Sequence, residues 1–263
     1  MLAQRNIVDN PEPKDHVVQL YCDESVLVRT VGRYLYEGFH RGDSALVIAT
    51  EDHSSAFRAD LEVRGVDVAR LMGDNQFLVL GAERTLSSFM VQGRPDWERF
   101  ETTIANAAAA VHIRPGHKIR AYGEMVGLLW TDGQYSAAIS LENHWNRMLD
   151  RLQAALFCAY PIDVFGREFQ KSSIHAILCD HNHLVPAEQA AELRDALNSG
   201  VHKVLGVRAA EALTAMHNDC SCEAGIVPEP ERMILWVRER LPNSAEQILI
   251  TAREVYTAAC LGR

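Results

Sequence analysis

The chain lacks any apolar run approaching the roughly 18 residues that a membrane-crossing helix needs, so no membrane role is expected. It lacks an excess of positive charge: 26 Lys and Arg stand against 35 Asp and Glu, a net charge of −9. Phosphate contacts require clustered Lys and Arg, and acids interrupt every basic run between Leu193 and Arg263, so direct DNA binding is not expected. The opening MLAQRNIVDNPEPKD is polar and proline-marked, without the apolar stretch of a secretory signal. Cysteine is sparse: Cys22, Cys158, Cys179, Cys220, Cys222 and Cys260 are scattered and read as reduced thiols of a cytoplasmic protein. There is no G-x-S-x-G nucleophile elbow, no internal repeat and no low-complexity segment, and no enzymatic activity is expected.

What remains is ample apolar material, 48% of residues, arranged in alternating patterns. His16–Tyr21, Ala45–Ala49, Phe77–Leu80, Lys118–Tyr122 and Ala154–Tyr160 are short runs rich in β-formers or continuously apolar, the pattern of strands buried on both faces. Between them Val26–His40, His53–Arg64, Thr85–Val91, Trp97–Ile113, Gly123–Trp130 and Tyr135–Arg151 carry apolar residues at helical spacing. Strands alternating with helices at these intervals predict a mostly parallel sheet with helices on both faces, an α/β fold. Beyond it Ala187–Asn198, Val201–Met216, Glu229–Leu241 and Ser244–Cys260 read as helices punctuated by Pro186, Gly200, Pro228, Pro230 and Pro242. The expected organisation is a flexible leader over 1–15, an α/β domain over 16–185 and a helical C-terminal region over 186–263.

Two layers of resemblance refine this. Leu35–Gly65, LYEGFHRGDSALVIATEDHSSAFRADLEVRG, resembles the start of the RecA-superfamily core of KaiC-type ATPases. HVVQLYCDE at 16–24, RAYGEMVGLLW at 120–130, SLENHWN at 140–146, LFCAYP at 156–161 and IHAILCDHNHLVP at 174–186 together resemble, in order, the MEDS sensory family. The resemblance implies a degenerate RecA-like domain that senses small molecules, often one-carbon or hydrocarbon derivatives, and serves signal transduction or transcription regulation. A phosphate loop needs glycines for backbone approach and a lysine for the phosphates, but the turn after the first strand is Cys22-Asp23-Glu24-Ser25. One like-charge pair at about 4 Å costs about 4 kcal/mol at an effective dielectric of about 20, so ATP binding is not expected.

Ligands of open parallel sheets sit beyond the carboxyl ends of the strands. Projection onto that edge gathers Tyr21, Asp23 and Glu24, then Thr50, Glu51 and His53, then Tyr122 and Glu124, then Tyr160. Tyr21, Asp23, Glu24, Tyr122 and Glu124, with His16 and His144, are the candidate ligand-binding residues, suited to a small neutral or cationic organic molecule. Each has a plainer role: Asp23 as a helix cap, Glu24 and Glu51 as solvated first-turn acids, His16 as a partner for a backbone carbonyl. Glu124, between a glycine and an apolar run, is either buried and hydrogen-bonded or functional. Glu142 and Trp145 share a helix face while His144 points elsewhere, and Trp130 and Trp145 read as core. Cys158 lies in mid-strand among apolar residues and reads as inert.

The expected function is a small-molecule-sensing regulatory protein without cofactor, acting through a homodimer or a regulatory partner protein. A second reading is a metal or thiol sensor using Cys179, His181 and His183, whose two-residue spacing places them on one side of an extended segment, with Cys220 and Cys222 as further thiols. Zinc sites more often pair C-x₂₋₄-C with H-x₃₋₅-H.

Overall fold

The computed structural model describes residues 6–207 and 227–261. Cys220 and Cys222, and most of the helix expected over Val201–Met216, lie outside the described residues. Backbone contacts divide the chain into two compact units, the first comprising Met1–Pro161 with Cys179–His183, the second Ile162–Leu178 with Leu184–Arg263.

In the first unit, strands β1 (His16–Leu20), β2 (Ser44–Ala49) and β3 (Phe77–Gly81) alternate with helices α1 (Glu24–Arg41), α2 (Glu51–Val63) and α3 (Val68–Gly73). Helix α4 (Ala82–Phe89), the two-residue strands β4 (Met90–Val91) and β5 (Arg94–Pro95), and α5 (Trp97–Ala110) follow. Strand β6 (Ile119–Gly123), helices α6 (Met125–Thr131) and α7 (Tyr135–Leu149), and strand β7 (Ala154–Tyr160) complete the core. Helix α8 (Lys171–Asp180), which belongs to the second unit as far as Leu178, and the short strand β8 (His183–Leu184) come next in the chain. The sheet order is β3-β2-β6-β7-β1-β8, and β1 with β7, β2 with β3, β2 with β6 and β6 with β7 pair in parallel. Every residue of β2 and β7 is buried, as a parallel sheet covered on both faces demands. The fold is the expected RecA-like α/β arrangement.

Local chemistry sets the element ends. The Asp23 carboxylate accepts the Ser25 N–H at 2.8 Å and starts α1. Gly42, at φ +90°, ends it with its N–H turned back to the Gly38 and Phe39 carbonyls. Thr50, Asp67 and Asp96 cap α2, α3 and α5 in the same way. Helices α1 and α2 pack together on one face of the sheet, while α7, with α5 and α6 against it, covers the other. Because parallel partners point to the same side, Tyr122 and Phe157 face α1 and α2, whereas His16, Leu156, Cys158 and Tyr160 face α7.

Part of the expected flexible leader is tied to the sheet. The fully buried Arg120 pairs with Asp43 at 3.0 Å and donates to the carbonyls of Val8, Tyr34 and Asp9 at 3.2, 2.8 and 2.9 Å. A buried guanidinium needs its N–H groups satisfied, and residues 8–9 supply two of the acceptors. The hairpin β4–β5 and helix α3, both too short for a periodic signal, were not anticipated.

In the second unit, α9 (Ala190–Leu205) runs straight through Gly200, where a break between two helices was expected. A Cβ there would stand 2.6 Å from the Ile248 carbonyl and 3.2 Å from Ala252 of α11 (Ala245–Leu261). Gly200 therefore permits close helix approach rather than ending a helix. Helix α10 (Glu229–Arg240) begins with Pro230 in its first turn. Arg238 donates to the Phe165 and Gly166 carbonyls at 2.9 and 2.7 Å, which fixes Ile162–Leu178 to this unit.

Candidate functional site

The carboxyl ends of β1, β2 and β6 bring together six of the gathered residues: Tyr21, Glu24, Thr50, His53, Tyr122 and Glu124. Glu124 follows β6 at the head of α6, and only 4% of its surface is exposed. Its Oε1 accepts the Thr50 N–H at 2.5 Å. Its Oε2 accepts from the Tyr122 hydroxyl at 3.0 Å and from His53 Nδ1–H at 2.6 Å. The opposite nitrogen of His53, Nε2, donates to the Glu24 carboxylate in the first turn of α1. One imidazole therefore bridges two carboxylates, the buried Glu124 and the exposed Glu24. The Tyr21 ring stands edge-on to His53 with centroids 6.3 Å apart, and Phe57 stacks beneath it at 5.8 Å.

The electrostatics follow from that bridge. The Glu124 hydrogen bond raises the His53 imidazole to about 9; burial opposes the rise, and the charges of Glu124 and Glu24 add to it. Burial would push the Glu124 carboxyl up, but His53 and the Thr50 N–H outweigh it and hold it below the ordinary carboxylate range. Burial, then the nearby carboxylate charge, keeps the Tyr122 and Tyr21 phenols protonated. At neutral pH the cluster comprises an imidazolium between two carboxylates, a net charge of −1. Such a site favours neutral or cationic ligands over anions and offers a charged donor and, beside it, the partly exposed Tyr21 for orientation.

The other candidates are placed elsewhere. Asp23 is exposed, and its carboxylate is engaged in capping α1. His144 is on the far side of α7, with Nε2 3.2 Å from the Pro95 carbonyl and its ring among Trp97 and Phe100. Its placement has a simple cause: neighbouring helix residues diverge by about 100°, and the inward position belongs to Glu142 and Trp145. His16 opens β1, a strand length away from Tyr21, and enters a different cluster.

The set Cys179, His181 and His183 is also divided. Cys179 is exposed near the end of α8, His181 is buried, and His183 Nε2 lies 3.2 Å from Asp15 Oδ1. The segment is not an extended strand, because the helix persists to Asp180.

His181 instead joins His16, Glu142 and Cys158 on the α7 face of the sheet. All four are buried, and one potential ligand atom from each lies within 4.8 Å of the others. His16 Nε2 is 3.3 Å from Glu142 Oε2 and 3.4 Å from Cys158 Sγ. Cys158 Sγ is 3.6 Å from Glu142 Oε2, and His181 Nε2 is 3.4 Å from Glu142 Oε1. The Tyr160 hydroxyl donates to Glu142 Oε1 at 2.6 Å. Burial would raise the Glu142 carboxyl, but His181, His16 and Tyr160 together hold it well below its usual range. Burial, then the Glu142 charge, pushes the Cys158 thiol up. Sequence reasoning named His16 and His181 for other sites and read Cys158 as inert. The available signal was Glu142, a carboxylate on the buried face of α7 between Leu141 and Trp145.

A family model described as MEDS, the MEthanogen/methylotroph, DcmR Sensory domain, matches residues 15–182. That span includes every member of both clusters. Among curated proteins, no sequence matches the chain.

Proposed function

The chain belongs to the MEDS family of sensory domains, and on that premise we propose that it senses a small neutral or cationic organic molecule at the carboxyl edge of its sheet. The observation that carries this reading is His53, clamped on its inner nitrogen by buried Glu124 and on its outer nitrogen by exposed Glu24. The inner contact is rigid, because Glu124 is also held by Thr50 and Tyr122. The outer one is replaceable, because Glu24 sits on a solvated helix turn. An incoming hydroxyl or carbonyl can take the Nε2–H in place of Glu24, with Tyr21 beside it. Exchange of that partner would shift the start of α1 against α2, giving a ligand-dependent change for a second copy or a regulatory partner protein to read.

The reading includes no ATP hydrolysis. Its support is the first turn of α1, where a phosphate would need N–H donors and a lysine. There Asp23 accepts the Ser25 N–H, and Glu24 adds a second carboxylate. A net charge of −9 supports action through a protein partner rather than on DNA, in a cytoplasmic setting.

The test is a thermal-shift screen of small alcohols, carbonyl compounds, amines and amides against the wild type and Glu124→Gln. A ligand at 100 times its Kd stabilises by about 2.7 kcal/mol, a rise of about 5 °C or more for a domain of this size. At least one compound should stabilise the wild type by that amount and leave Glu124→Gln unshifted. Equal shifts in both proteins, or a response to ATP and magnesium alone, would overturn the proposal.

A further inference from the structure

The four buried side chains on the α7 face have the composition and spacing of a coordination sphere. In a tetrahedral zinc site, bonds of about 2.0–2.2 Å to nitrogen or oxygen and about 2.3 Å to sulfur set N–O edges near about 3.4 Å and edges to sulfur near about 3.6 Å. Here His16 Nε2, Glu142 Oε2 and Cys158 Sγ are separated by 3.3, 3.4 and 3.6 Å, His181 Nε2 is 3.4 Å from the other carboxylate oxygen, Oε1, and one donor atom from each of the four lies within 4.8 Å of the others. The donors come from four places in the chain: β1 (His16), α7 (Glu142), β7 (Cys158) and the segment after α8 (His181).

The surrounding hydrogen bonds orient the donors. Asn146 Nδ2 donates to the Asp180 carbonyl at 3.0 Å, so its Oδ1 faces His16 Nδ1 at 2.9 Å. That contact places a proton on Nδ1, so that the neutral imidazole turns its Nε2 lone pair toward Glu142 and Cys158. An outer hydrogen bond of this kind is what fixes a metal-binding histidine. Asn182 locks the closing segment to the same strand, with its Oδ1 accepting the His16 N–H at 2.8 Å and its own N–H reaching the His16 carbonyl at 3.0 Å. This holds the His181 ring 4.0 Å from that of His16. Tyr160 orients the Glu142 carboxylate.

Charge points the same way. A lone pair on His16 Nε2 that faces a carboxylate oxygen is repulsive unless a cation or a proton lies between them. Two neutral imidazoles, one carboxylate and one thiolate neutralise a divalent ion, so the whole group could be buried without net charge. We propose that His16, Glu142, Cys158 and His181 bind one divalent transition-metal ion of zinc type, with all four positions filled by protein. On binding, the Cys158 S–H bond breaks and its proton leaves to solvent; no redox change is involved. The site is distinct from the Glu24–His53–Glu124 bridge, which lies on the opposite face of the sheet.

The test is titration of chelator-treated full-length chain with Co²⁺, an ion that reports tetrahedral geometry and thiolate ligation by its visible and near-ultraviolet absorption. The expected result is one equivalent bound, with intense tetrahedral bands and a sulfur charge-transfer band, displaced by one equivalent of Zn²⁺. The charge-transfer band should vanish in Cys158→Ser and persist in Cys179→Ser. Asn146→Ala, which removes no ligand but deletes the hydrogen bond that orients His16, should weaken Zn²⁺ binding by about 10–100-fold. Failure of the folded wild type to bind one equivalent, an octahedral spectrum, or a charge-transfer band lost with Cys179 instead of Cys158 would each overturn the assignment. Should Cys158→Ser not fold, the wild-type spectrum and Asn146→Ala still decide it.

Discussion

His53 donates an N–H to a carboxylate on each side, and this makes its titration a report on the integrity of the site. Its folded value of about 9 lies above the ordinary 6.5. The stability it contributes is therefore complete below about pH 6.5 and disappears as pH rises through about 9. With the exposed Glu24 side discounted for solvent screening, the contribution is about 1–2 kcal/mol. Urea unfolding of the wild type across this range should show that decline, and His53→Gln should not. A decline of equal size in the variant would assign it to another group. Glu124 adds no slope there, because its carboxyl remains ionised throughout.

At the scale of elements, two glycines in helices should respond oppositely to the same substitution. Gly200→Ala places a methyl group against the Ile248 carbonyl of α11 and should destabilise the second unit by about 1–3 kcal/mol. Gly73→Ala, at the end of α3 with open space around its Cβ, should be neutral or stabilising by up to about 1 kcal/mol. Denaturant melts of both variants test the pair. The same contrast explains what was legible in the sequence. Continuous apolar runs such as ALVIA and AALFCAY betray doubly covered parallel strands, because burial on both faces leaves no room for polar alternation. Gly200 was misread because a helix breaker and a close-contact glycine look alike until the partner helix is placed. Cys179, His181 and His183 suggested an extended segment by their two-residue spacing, whereas α8 takes in Cys179 and ends at Asp180, leaving the two histidines beyond it.

For the whole molecule, the two clusters differ in how visible they were beforehand. Tyr21, Glu24, His53, Tyr122 and Glu124 share one property readable from sequence: each follows or closes a strand, and parallel topology collects such positions at one edge. His16, Glu142, Cys158 and His181 share no such property. They meet because β1 and β7 are neighbours in the sheet, α7 lies over them and Asn182 folds back onto His16. None of those pairings is written in local periodicity, and the buried polar character of Glu142 was the one hint.

In the proposed sensing role, the carboxyl edge holds a small organic ligand through His53. The most direct test is gentle native mass spectrometry of chain purified without added ligand, compared with its denatured mass and with Glu124→Gln prepared alike. The expected result is an organic adduct on the wild type, lost on denaturation and absent from the variant. An adduct equally present on Glu124→Gln, or none even after incubation with the compounds that stabilise the wild type, would contradict it.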